Sequence, residues 1–110
     1  MAYDQALADR IRAELGDHPA LTERQMFGGI GFMVGGNMAV GVAGDDLMVR
    51  VGPDGHDEAI ARTGAREFDL TAGRPSRGWI LVAPAGIATD DQFASWVNTG
   101  VTYAESLPPK

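Results

Sequence analysis

The 110-residue chain contains no cysteine, which removes disulfides, thiolate metal ligands and thiol nucleophiles together. That composition fits a reducing compartment, and a cytoplasmic protein is the expectation. No apolar run approaches the roughly 18 residues that a membrane-spanning helix needs, so no membrane association is expected. The opening residues, MAYDQALADR, bring acids in early and hold no unbroken apolar core, so no signal peptide is indicated. Basic residues are outnumbered, nine Lys and Arg against fifteen Asp and Glu for a net charge of −6. That balance argues against direct nucleic-acid binding as a general property. Histidine is confined to His18 and His56. A zinc site would require further ligands converging from separate elements, so both are read as surface side chains. Ser76, Ser95 and Ser106 lack the Gly-x-Ser-x-Gly setting of an activated nucleophile. Gly29-Ile30-Gly31 starts a dinucleotide-binding fingerprint that fails at Val34, and no Walker Gly-Lys-Ser/Thr occurs. With no convergent catalytic set, the expectation is a non-enzymatic protein that carries neither cofactor nor metal.

What the sequence does have is a glycine-punctuated middle. From Arg24 to Val51, RQMFGGIGFMVGGNMAVGVAGDDLMVRV, the apolar residues alternate as half-buried strands require. Ile30, Phe32 and Val34 share one face, opposite Gly31 and Met33. After the turn Gly35-Gly36-Asn37, Met38, Val40 and Val42 share a face, opposite Ala39, Gly41 and Ala43. After Gly44-Asp45-Asp46, Leu47, Val49 and Val51 lie opposite Met48 and Arg50. Turns this short and this rich in Gly, Asn and Asp favour antiparallel hairpins, because these residues tolerate positive φ. The meander therefore has a bulky face that helices must cover and a second face of small residues and methionines.

Around it the periodicity predicts a first helix over Tyr3–Leu15, with Tyr3, Leu7, Ile11 and Leu15 as its stripe and Gly16 as its stop. Leu21–Met26 reads as an edge strand leading into a bend at Phe27-Gly28-Gly29. Pro53 opens a short second helix to Arg62, with Ala59 and Ile60 as its buried contacts. Arg66–Leu70 reads as a strand anchored by Phe68, residues 71–78 as a loop, and Trp79–Val82 as a further strand. Thr89 and Gln92 form a capping box for the last helix, whose face is Phe93, Trp96, Val97, Gly100, Val101, Ala104 and Leu107. Gly100 in that stripe costs about 1 kcal/mol against Ala and predicts a close crossing over another backbone. The fold class is α+β, a two-layer antiparallel sheet with helices in the order α-β(4)-α-β(2)-α, read as one domain over residues 1–110.

Three surfaces are candidates for function. Met33, Met48, Ala39, Gly41 and Arg50 make an apolar face without large aliphatic side chains, suited to a protein partner or a second copy of the chain. Arg62 to Arg77, with four arginines against Glu67 and Asp69, is the one locally basic stretch and the place where direct DNA binding would begin. Arg24, Arg50, Arg74 and Arg77 are candidates for an anion or small-molecule pocket.

The run Arg24-Gln25-Met26-Phe27-Gly28-Gly29-Ile30-Gly31-Phe32, the turn Gly36-Asn37-Met38 and the strand Leu47-Met48-Val49-Arg50-Val51 resemble the N-terminal domain of the TfoX/Sxy family. Phe68, Trp79-Ile80-Leu81-Val82-Ala83-Pro84 and the Trp96 helix extend the resemblance over nearly the whole chain. It implies a secretion-chaperone-like architecture with helices on one side of an antiparallel sheet. It also implies an association with the regulation of natural competence, where members of the family promote transcription alongside a cyclic-AMP receptor protein. The full-length regulators carry a second, C-terminal helical domain with no counterpart in this sequence. The family supplies no catalytic residues.

Overall fold

Glycine turns set the register of the sheet. In the computed structural model, which describes residues 3–16, 18–26, 29–68 and 78–109, Gly35 and Gly36 take φ of 62° and 83°. Positive φ at both central residues is what a tight hairpin turn demands. This turn joins β2 (Gly29–Val34) to β3 (Asn37–Ala43), and the turn at Gly44 leads into β4 (Asp46–Arg50). With β1 (Leu21–Met26), β5 (Ala65–Glu67) and β6 (Trp79–Val82) the sheet has the order β1-β2-β3-β4-β6-β5 among the described residues. Every neighbouring pair is antiparallel. The helices are α1 (Gln5–Leu15), α2 (His56–Ile60) and α3 (Asp90–Glu105), so the expected α-β(4)-α-β(2)-α order is the observed one.

The bulky face is where the helices lie. Ile30, Phe32, Val40, Val42, Leu47, Val49, Ile80 and Val82 form one cluster with Leu7, Ala8 and Ile11 of α1, Ala59 of α2, and Phe93, Trp96 and Val97 of α3. α3 is fixed at its start by the Thr89–Gln92 capping box. It comes so close to β3 that a Cβ on Gly100 would press into the Ala39 carbonyl and stand 2.8 Å from Val40 Cγ1. The close crossing read from the sequence is present.

Several boundaries move. Helix α1 starts at Gln5 rather than Tyr3, because Asp4 caps it by accepting from the Ala6 and Leu7 N–H groups. Tyr3 is spent instead on a parallel bridge to Gly44. A single 3-10 turn over Pro53–Gly55 precedes α2, which ends at Ile60 rather than Arg62. β5 begins at Ala65 and ends at Glu67, with Phe68 half-buried beyond it. The bend residues 27 and 28, the end of that strand at residues 69 and 70, and most of the following loop lie outside the described residues.

The face assignment of β3 changes more consequentially. Phe32 pairs with Val40, but Met33 pairs with Met38. β3 thus carries one extra residue, Ala39, and the bulge switches every side chain before it to the other face. Met38 therefore joins Met33 on the face away from the helices instead of sharing Val40's side. Ala39, expected on the open face, packs with Val34 and with Ala104 of α3.

α1 is held across the sheet edge by Arg12. Its guanidinium donates to both carboxylate oxygens of Glu23 on β1, each at 2.9 Å, and to Asp9 at 2.8 Å. The hydrogen bond from Arg12 holds the Glu23 carboxyl below its usual pKa. The folded state then favours the carboxylate more than the unfolded chain does. Stability from the pair is present above the ordinary glutamate pKa of about 4.3 and is lost as pH falls through the lowered folded value.

Gly100→Ala is expected to lower unfolding free energy by about 2 kcal/mol, the range for forcing atoms into a packed contact, read from the urea midpoint. Both Arg12 and Glu23 side chains are more than a third exposed, so solvent screens their pair. Arg12→Ala is expected to cost only about 0.5 kcal/mol at pH 7. That difference should shrink as the pH drops below about 4.3, a trend that urea melts at pH 7 and pH 3 check.

Candidate interaction face

The register defines the face turned away from the helices row by row. Arg24, Gly31, Gly41, Met48, Leu81 and Arg66 stand directly opposite one another across six strands. In the next row, Thr22, Met33 and Met38 are cross-strand partners. Gly31 and Gly41 leave a trough, and the Met48 side chain lies in it: a Cβ on Gly41 would stand 2.7 Å from Met48 Cε. Met48 and Met38 are 5% and 7% exposed, whereas Met33 is half-buried. Of the residues proposed for this face, Met33, Met48 and Gly41 are on it, Arg50 belongs to it by strand parity while its guanidinium reaches Tyr103 of α3, and Ala39 is under α3.

Arg50 has neighbours that sequence reading missed. Its guanidinium carbon lies 5.1 Å from the centre of the Trp79 ring and 5.4 Å from that of Tyr103. Trp79 is the cross-strand partner of Arg50 on β6. Tyr103 comes from α3 and lies against Gly52, where a Cβ would be 2.6 Å from Tyr103 Cδ1. Such ring contacts offset part of the cost of a half-buried cation. The one available signal was Tyr103 itself, a polar aromatic on the last helix outside its apolar stripe.

Of the arginines proposed for the anion pocket, the two that are described are not brought together. Arg24 on β1 and Arg50 on β4 share a face but are separated by the width of β2 and β3, and Arg74 and Arg77 lie outside the described residues. In the basic stretch, Arg62 stacks 3.6 Å from the centre of Trp96 and donates to Ser95 Oγ at 3.0 Å. Burial there pulls its pKa below the usual arginine value, while Glu58 acts in the opposite sense. Arg66 is ion-paired with Asp46.

His56 is not the surface residue expected. It is 3% exposed, and its Nδ1 accepts from the Gly78 N–H at 2.9 Å. That leaves the proton on Nε2, which donates to Glu67 Oε2 at 3.1 Å. The imidazole thus ties the end of β5 to the residue before β6, and both of its nitrogens are occupied. Nothing local announces this, since both partners are distant in sequence. His18 similarly accepts from Ala20 N–H through Nδ1 and meets Glu105 of α3 at 3.0 Å. Among the described residues, no group of three His, Asp or Glu is placed to hold a metal. A cavity of about 340 Å³ between the start of α1, the β3–β4 turn and residues 84–88 is floored by Leu7 and Ile87. Its arginine, Arg10, donates to the Ile87 carbonyl at 3.0 Å and stacks 4.2 Å from the centre of Phe93.

The sequence profile of the TfoX N-terminal domain matches residues 13–104, which take in all six strands and nearly all of α3. The chain belongs to the TfoX N-terminal domain family. No significant match was found among curated proteins or among solved structures. The TfoX N-terminal domain described here has no helix, among its described residues, long and apolar enough to cross a membrane.

His56→Ala is expected to destabilise the domain by about 2 kcal/mol, because it leaves the buried Gly78 N–H without its acceptor. Equilibrium unfolding monitored by tryptophan fluorescence measures the loss.

Proposed function

We propose that this TfoX N-terminal domain is a non-enzymatic module that works by contact with another protein, or with a second copy of itself, in the cytoplasm. Its setting is the transcription-associated regulation of natural competence that the family resemblance implies. Residues 1–110 are read as one such domain. Its two-layer plan, with described helices on one side only, is similar in outline to the secretion-chaperone architecture.

The observation that carries the reading is the methionine row on the face opposite the helices. Met33 and Met38 pair across strands, Met48 fills the glycine trough, and Arg50 stands beside Trp79. Unbranched thioethers adapt to a partner's contour at little cost, Met33 being the least buried of the three, and an arginine next to aromatic rings is the composition of an interface centre.

Sedimentation velocity tests this on the chain alone and mixed with a bacterial cyclic-AMP receptor protein. Met33→Glu places a charge at the one methionine of the three that is only half-buried. It is expected to weaken whichever association is seen by about tenfold or more, ~1.4 kcal/mol, with the circular dichroism spectrum unchanged. Association of undiminished strength in both Met33→Glu and Arg50→Ala would remove this face from consideration.

A further inference from the structure

The edge strand β1 offers a second surface, and the register says which of its backbone groups are already used. Gly35 N–H donates to the Ala20 carbonyl at 3.1 Å, and Leu21 to Met26 then pair without a break with Val34 to Gly29. In an antiparallel pair, residues whose N–H and C=O face the partner alternate with residues whose groups face away. Thr22 and Arg24 therefore bond β2, while Leu21, Glu23 and Gln25 turn their backbone groups outward. The Leu21 N–H is taken by the His18 carbonyl at 3.2 Å. Those of Glu23 and Gln25 have no backbone partner among the described residues.

Natural edges are blunted by proline, lysine, bulges or very short strands. β1, with the sequence LTERQM, has no proline, lysine or bulge in its pairing with β2, and its charges are Glu23, neutralised by Arg12, and Arg24; the opposite edge β5 is only three residues long. We propose that β1 receives an extended segment of another protein as an added antiparallel strand, with an acidic residue opposite Arg24. Charge selects this occupant. The Glu23 side chain is already gripped by Arg12, whereas Arg24 is exposed and makes no ion pair among the described residues. A second copy fits poorly. A two-fold pairing that keeps each face on its own side must oppose residues of equal parity. The two registers that pair most of the strand then place Glu23 against its own copy or Arg24 against its own copy. Like charges directly opposite destabilise a sheet.

The antiparallel register fixes the rest of the motif. Counting along the incoming strand from the acidic residue, the next position faces Glu23, the second faces Thr22 and the third faces Leu21. Leu21 is only partly buried against the core, so the third position calls for a large apolar side chain. The occupant is an acidic residue followed three places later by Leu, Ile or Phe, with β-branched residues around it. This mode of recognition draws affinity from main-chain hydrogen bonds and specificity from alternate side chains.

The inference rests on the reading of the domain as a protein-binding module, but its test reads β1 alone. The probe is the capped peptide Thr-Glu-Thr-Val-Leu, titrated into the intact chain and followed by amide NMR with hydrogen exchange. Slowed exchange at the Glu23 and Gln25 amides is expected. Gln25→Pro removes an outward N–H that the β1–β2 ladder does not use, so the fold is retained and binding is expected to weaken about tenfold or more. Arg24→Glu is expected to abolish binding, and the peptide with Lys in place of Glu to restore it. Met33→Glu leaves the peptide titration unchanged, which separates a failure here from a failure of the sheet-face reading. Equal binding by Gln25→Pro, protection elsewhere than β1, no binding at millimolar peptide, or a dimer of the chain itself that Gln25→Pro dissolves would each overturn the proposal.

Discussion

The contact on which the other elements depend is the crossing of α3 over β3 at Gly100. Without a Cβ there, helix and strand backbones meet, and a larger residue would lift the helix off the sheet. One turn earlier this seats Trp96, 1% exposed, in the middle of the core. One turn later it sets Ala104 against Ala39 and Val34. The same placement determines what the end of α3 can reach. Tyr103 arrives over Gly52 beside Arg50, Glu105 arrives at His18, and the Pro108 carbonyl accepts from Asn37 Nδ2 at 2.9 Å. One missing methyl group thus coordinates the core, the β2–β3 turn and the neighbourhood of the candidate face.

The bulge at Ala39 belongs to the same arrangement. An extra residue in β3 brings a small side chain round to the helix side where α3 comes closest. It also sends Met38 to the far side, where it pairs with Met33. The third methionine of the open face is therefore a by-product of how the helix side is packed. Strand alternation cannot anticipate this, because a bulge is a property of two strands in register and the signal lies in neither one.

That division explains what could be read from the residues and what could not. Features decided within a few residues were legible: the glycine turn at Gly35-Gly36, the Thr89–Gln92 cap, the stop at Gly16 and the strand Trp79–Val82. Gly100 was legible for a different reason, since a costly residue inside an apolar stripe implies a compensating contact. Features decided by partners far along the chain were not legible. His56 accepts a hydrogen bond from Gly78 and donates one to Glu67, and Arg50 lies near rings of β6 and α3. The site residues followed the same rule. Met33, Met48, Gly41 and Arg50 fell on one face because period-2 alternation holds within their strands. Ala39 left it because alternation fails at the bulge.

The electrostatics of the molecule follow from where its few cations are used. Among the described residues, Arg10 and Arg62 stack on Phe93 and Trp96, Arg12 grips Glu23, Arg66 pairs with Asp46, and Arg50 lies between Trp79 and Tyr103. Each of these guanidiniums contacts a group on another element of the chain. A phosphate backbone is gripped by cations that are free to replace its counterions, and five of the six described arginines already have a partner within the chain. Arg24 is the exception, and it stands on the strand whose Glu23 and Gln25 N–H groups have no backbone partner among the described residues. Among the described residues the arginines are thus spent on the domain's own architecture except at β1, and that exception is the ground on which an added strand is proposed there.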